Sequence, residues 1–216
     1  MGTSHSDDRL VRRYVALGDS FTAGAPGGEG EGRWPDYLAE ALRSVNPELE
    51  YHNLGQVGVT TAEVAGSQLA PCLALHPDLV TVVCGANDVL LSVRPDIDAH
   101  AAALDFIFMR LRERLPQCAL MTATTPQVAG HIGLRPRSRK RVEEGLVRLN
   151  EATRDVAARH GVVCLEFADH PEADERRNFG ADGFHPSATG IRRAALAGVT
   201  ALKTHFGIRI TQEEMA

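Results

Sequence analysis

Short apolar runs alternate with longer amphipathic stretches from one end of the chain to the other, and this alternation limits the possible folds more than any other feature. Residues 13–17 (Arg-Tyr-Val-Ala-Leu) read as a first strand ended by Gly18. Residues 34–45 have helical spacing, with Trp34, Leu38, Ala41, Leu42 and Val45 on one face. Residues 50–54 are a second strand, and residues 60–75 a helix that Thr60 can cap. The unbroken run 78–84 (Asp-Leu-Val-Thr-Val-Val-Cys) has the character of a strand buried on both faces of a parallel sheet. The pattern repeats with a helix at 96–115, a strand at 117–124, a helix at 137–160, a strand at 162–167 and a last helix at 187–205, capped by Ser187. Strands and helices in this order imply βαβ units and a parallel sheet of about five strands with helices on both faces.

The length of 216 residues suits one such domain, read as residues 13–208, between a polar segment at 1–12 and a tail at 209–216. A net charge of −5 speaks against nucleic acid as a partner, which calls for a broad basic face. No apolar run approaches the roughly 20 residues that span a bilayer. Met1 to Arg13 contains no apolar stretch of the signal-peptide kind. The four cysteines (Cys72, Cys84, Cys118 and Cys164) form no CxxC pair, and three lie inside apolar runs, where cysteine behaves as a small hydrophobe. The expectation is a cytoplasmic protein without a disulfide framework or a metal site.

In open parallel sheets, ligands bind beyond the carboxyl ends of the strands, near the point where the strand order reverses. That rule directs attention to the segments after each strand. Ser20 follows the first strand through Gly18-Asp19; alone, a serine there reads as a helix cap or turn residue, and it becomes a nucleophile only with a base in reach. Near the other end stands Asp182-Gly-Phe-His185-Pro186. Pro186 favours an extended backbone at His185, and the close spacing lets one loop hold a carboxylate against an imidazole; the plain alternative is a solvated turn. Asn87, in Cys84-Gly-Ala-Asn-Asp88, is placed to donate an amide hydrogen to a developing oxyanion, or is a turn residue. Gly58, in Asn53-Leu-Gly-Gln-Val-Gly-Val-Thr-Thr61, offers a bare backbone N–H, or is a turn glycine.

Each signal is weak alone, but their order along the chain resembles the SGNH hydrolases, also called GDSL esterases and lipases. Gly18-Asp19-Ser20, Gly58, Gly85-Ala86-Asn87 and Asp182-x-x-His185 correspond to the four sequence blocks of that family, and the resemblance runs from about Tyr14 to the last helix. It implies a three-layer α/β/α sandwich resembling flavodoxin. It further implies Ser20 as nucleophile, His185 as general base and Asp182 as its orienting partner. Ser20 and Gly58 would line an oxyanion hole through their N–H groups and Asn87 through its side chain. Family members hydrolyse small-molecule esters and thioesters without a cofactor or metal. Acyl transfer to an acceptor alcohol by the same triad is the alternative, and a catalytically silent binding domain a third. Two positions depart from the family pattern: Ala86 stands where a second glycine is common, and Gln56-Val57 are bulky enough to narrow the site.

Other motifs fit less well. The α/β-hydrolase elbow G-x-S-x-G lacks its second glycine here. The glycine-rich residues 24–32 have neither P-loop nor dinucleotide spacing and carry two glutamates; they read as a lid or a plain connection. The basic cluster at 135–141 is a solvated helix start or a surface that steers anionic esters. His52, His76, His100, His131, His160, His170 and His205 show no metal-ligand spacing and are assigned to surface or packing.

Overall fold

The computed structural model describes residues 10–24, 32–208 and 210. Along the chain run β1 (Arg13–Gly18), α1 (Ser20–Ala23), α2 (Trp34–Arg43), β2 (Glu50–Asn53), α3 (Thr61–Ser67), α4 (Leu69–Ala74), β3 (Leu79–Val83), α5 (Ala86–Leu90), α6 (Ile97–Arg114), β4 (Ala119–Ala123), α7 (Pro136–Arg159), β5 (Val163–Leu165) and α8 (Ala188–Phe206), with a 3-10 turn at Arg176–Asn178 before α8. The five strands are parallel in the order β2-β1-β3-β4-β5. This is the flavodoxin-like order, whose switch point lies between β1 and β3.

Alternation along each strand decides what each face buries. Tyr14 and Ala16 join Leu79, Met121 and Ala123 on the face covered by α2 and α8, through Trp34, Leu38, Leu42, Val199 and Leu202. Val15 and Leu17 join Val80, Val82 and Leu120 on the opposite face, against Val64, Leu69, Leu104, Phe108 and Val156. The result is the three-layer sandwich expected from the sequence. Packing reaches Val11 and Ile210, both buried in the first of these layers. Residues 25–31 of the glycine-rich segment lie outside the described residues, and with them most of the lid assignment.

Several element boundaries differ from expectation for local reasons. The single helix expected over 60–75 is two helices meeting at Gln68. Pro71 has no N–H to continue the ladder and its ring crowds the carbonyl four residues earlier, so the helix breaks just before it. Thr60 does cap the first of them, in a box with Glu63. The strand expected over 162–167 stops at Leu165, because the Thr124 hydroxyl captures the N–H groups of Phe167 (2.8 Å) and Ala168 (2.9 Å) and turns the chain out of the sheet. The short helices α1 and α5 give no periodic signal. No helix among the described residues is long and apolar enough to cross a membrane.

Candidate active site

The carboxyl ends of β1 and β3 open side by side, and Ser20 and Asn87 emerge from them. Asp19 rather than Ser20 caps α1: its Oδ1 accepts from the Phe21 N–H at 2.9 Å. Ser20 therefore begins the helix, and its own N–H is one of the first-turn donors that no intrahelical carbonyl reaches. The β1 end is braced from behind by Gln68, whose amide accepts from the Gly18 N–H (2.8 Å) and donates to the Gly18 carbonyl (2.9 Å). The break between α3 and α4 is what turns Gln68 inward, where it is 1% exposed.

The loop before α8 carries Asp182 and His185 to this point. Its two flanks meet at a bridge between Phe179 and Pro186, with the Gly180 N–H donating to the His185 carbonyl at 2.8 Å. Gly183 turns the loop at φ +72°, and a Cβ there would run into the His131 carbonyl. The loop is anchored through Asn178, which donates to the Glu172 carbonyl (2.6 Å) and accepts from Arg193 of α8 (3.0 Å).

These constraints bring Ser20, His185 and Asp182 into one line. His185 Nε2 lies 3.0 Å from the Ser20 hydroxyl, and His185 Nδ1 lies 2.6 Å from Asp182 Oδ2. The other Asp182 oxygen accepts from the N–H groups of Phe184 (2.9 Å) and His185 (3.0 Å). Burial pushes the Asp182 carboxyl up, but those two N–H groups and the imidazole outweigh it and hold the carboxyl below its ordinary value. Phe21 and Phe184 pack edge to face at 5.0 Å, and Phe184 sits 4.7 Å from the imidazole, which limits ring rotation. Ser20 is buried, while the Asp182 side chain is 52% exposed.

Gly58 stands in the turn after β2, and Asn87 in the first turn of α5, just after β3. Gly58 is exposed, with open space where a side chain would stand. Asn87 is 6% exposed, and one of its amide hydrogens goes to the Val59 carbonyl at 2.9 Å, next to Gly58. Ala86 replaces the family's second glycine without strain, because it starts α5 with a helical backbone. The glycine that matters is Gly85, where φ is +122° and a Cβ would come within 2.8 Å of the His100 ring. Gln56 and Val57 are exposed.

The arrangement of β1, β3 and the loop before α8 coincides with a sequence match over residues 16–193 to the GDSL-like lipase/acylhydrolase family. The chain belongs to that family. As a member of the GDSL-like lipases and acylhydrolases it is an ester-hydrolysing enzyme. Solved structures share the fold at low sequence identity. A lipase/acylhydrolase from Enterococcus faecalis superposes with a TM-score of 0.73 at 22% identity, over 93% of this chain and 99% of the other. A catalytic mutant of an acetylxylan esterase from Geobacillus stearothermophilus gives 0.67 at 18% identity, over 92% and 96%. An α/β hydrolase enzyme from the metagenome of Lake Arreo, Spain, gives 0.66 at 22%, over 88% and 94%. No curated protein sequence matches the chain significantly.

Residues that sequence reasoning passed over also shape this GDSL-type site. Gln68, Asp88 and Asn178 bond the backbone of segments that carry the candidate groups, and His100 and Arg193 hold Thr61 and Asn178 through their side chains. Asp19, read from the sequence only as part of the Ser20 block, caps the helix that Ser20 begins. The partners of Gln68, Asp88 and His100 lie far away along the chain, so nothing in the local sequence marks those three. The basic cluster splits: Arg137, Arg139 and Lys140 are exposed, whereas Arg141 donates to the Ser92 carbonyl.

Proposed function

We propose that the protein is a serine esterase in which Ser20, His185 and Asp182 form the catalytic triad. The observation that carries this reading is the unbroken line from the Ser20 hydroxyl to His185 Nε2 and from His185 Nδ1 to Asp182, at 3.0 and 2.6 Å. His185 takes the Ser20 proton as Oγ attacks the ester carbonyl. Ser20 N–H, Gly58 N–H and the remaining Asn87 amide hydrogen receive the oxyanion. His185 then protonates the leaving alcohol, and water attacks the acyl-enzyme by the same route to release the acid. Asp182 holds the imidazole with Nδ1 protonated, leaving Nε2 free to accept. None of these steps calls for a metal or an organic cofactor. The histidine-to-alanine change in the acetylxylan esterase, described as a catalytic mutant, accords with a histidine base in a protein of this fold.

An apolar cavity of about 750 Å³ lies between α8, β5 and the ends of β3 and β4, within the range typical of small-molecule sites. Phe21, Trp34, Phe167, Phe179, Ala194 and Ala197 line it, and it abuts Asp19 and Phe21 on either side of Ser20. It offers more room than an acetyl group needs; Ser20 and His185 do not line it, so a longer acyl group would reach it past Phe21. The four free cysteines favour a reducing, cytoplasmic setting.

A fluorophosphonate probe tests the triad: it should label the wild type and not Ser20→Ala, and equal labelling of both would overturn the assignment. An ester series from acetate to decanoate tests the cavity, and a steady preference for acetate would show it to be unused. Product analysis with and without an acceptor alcohol separates hydrolysis from acyl transfer.

A further inference from the structure

The candidate oxyanion donors Gly58 and Asn87 sit on separate segments, one in the turn after β2 and one at the start of α5 after β3, and their spacing depends on what joins those segments. Asn87 supplies one link through the Val59 carbonyl. A second link lies beneath it. Asp88 Oδ2 accepts from the Thr61 N–H at 3.0 Å and lies 3.1 Å from the Thr61 hydroxyl. That hydroxyl also touches His100 Nδ1 at 2.8 Å, and His100 Nε2 lies 3.1 Å from the Thr153 hydroxyl, which donates to the Leu149 carbonyl at 2.9 Å. Thr61 and His100 are 0% exposed and Thr153 is 2% exposed, so the inner end of the chain of bonds is shielded from water, while Asp88 is half-buried.

We propose that Asp88 is a positioning residue for ester hydrolysis: it clamps the Gly58 turn to Asn87 through Thr61, with His100 and Thr153 anchoring the clamp to α6 and α7. The proposal rests on the reading of Gly58 and Asn87 as oxyanion donors. The Thr61 hydroxyl donates to Asp88 Oδ2 as its N–H does, so one carboxylate oxygen holds both groups of Thr61, and the His100 ring nitrogen beside that hydroxyl continues the chain of bonds. Burial pushes the Asp88 carboxyl up, against the lowering effect of its Thr61 bonds, and Glu63 on α3 pushes in the same direction as burial. Burial likewise lowers His100 to about 4, which keeps the ring neutral. The remaining acid facing this group is Asp19 at the end of β1.

Such a clamp acts on the charge that develops during reaction more than on substrate binding, so its loss should appear in kcat rather than KM. Asp88→Ala is expected to lower kcat for p-nitrophenyl acetate about 10–100-fold, the scale of a displacement near 1 Å, with KM changed little. Asp88→Asn can still accept from Thr61 and should recover most of that loss. If Asp88→Ala fails to fold, Thr61→Val carries the test, since it removes the hydroxyl and keeps the N–H; the same drop in kcat is expected. An active wild type with kcat unchanged in a folded Asp88→Ala or Thr61→Val, or with Asn no better than Ala, overturns the clamp alone. A wild type that takes no fluorophosphonate and cleaves no ester removes the esterase reading and the clamp together.

Discussion

The Ser20 hydroxyl and His185 Nε2 lie 3.0 Å apart although 165 positions separate them in the chain. The contact exists because the Phe179–Pro186 bridge folds the loop before α8 over the carboxyl end of β1. Asp182 completes the line from a half-exposed position. A buried orienting aspartate contributes about 10⁴-fold to turnover, and solvent screening puts the expected loss in Asp182→Asn nearer 10²–10³-fold. Steady-state kinetics should show the loss in kcat, with fluorophosphonate labelling slowed but still directed to Ser20.

Asn87→Ala should lower kcat by about 10²–10³-fold, the usual effect of removing one oxyanion donor. It also removes the link to Val59, so thermal unfolding must accompany the kinetics. A drop in kcat at unchanged Tm supports the donor role; a loss of activity that merely follows unfolding argues for a structural one.

Gly183→Ala places a methyl group against the His131 carbonyl at a positive φ. Strain at such a backbone position costs about 1–3 kcal/mol. The loop that holds both Asp182 and His185 must shift to relieve it. The expected outcome is a fall in Tm together with a loss of kcat, whereas Gly130→Ala, where a Cβ meets nothing within 4 Å, should change neither.

Two buried groups give stability opposite dependences on pH. Burial pushes the Asp19 carboxyl up to about 7, so between its unfolded value near 4 and pH 7 the folded state keeps a proton that the unfolded state loses. Its contribution is full below pH 4 and fades as pH rises to 7. Burial pushes His100 down to about 4, so below its unfolded value near 6.5 the unfolded state takes up a proton first, and stability falls as pH falls toward 4. The two slopes offset each other over the shared interval. Urea unfolding of Asp19→Asn should then show stability rising with pH between 4 and 6.5, and His100→Gln should show it falling. Identical slopes in both variants would refute the assignment.

The exposed part of the basic cluster makes a separate prediction. Arg137→Glu, Arg139→Glu and Lys140→Glu together should lower kcat/KM several-fold for anionic esters relative to neutral ones at low salt, and the difference should shrink as salt screens it. Equal values for both ester types would show the cluster to be only a solvated helix start.

The sheet was legible in the sequence because strands buried on both faces must be apolar throughout. That requirement marks residues 78–84 and 13–17 wherever the helices lie. The breaks were less visible. Pro71 splits a helix whose apolar spacing runs straight through it, and Thr124 ends β5 through a hydroxyl bond to residues more than 40 positions away. Periodicity carries no information about either event.

The same division runs through the site. The sequence by itself determined the candidate groups, because Ser20, Gly58, Asn87, Asp182 and His185 stand in order just beyond predicted strands or before the last helix, and the order of a parallel sheet sends such positions to one end. Only the tertiary structure decided how they are held. Gln68 beneath β1, Asp88 and His100 between the Gly58 turn and α5, and Asn178 and Arg193 under the His185 loop act through hydrogen bonds between separate segments. Such bonds depend on distance and angle in the folded chain, and a linear pattern of residue types records neither.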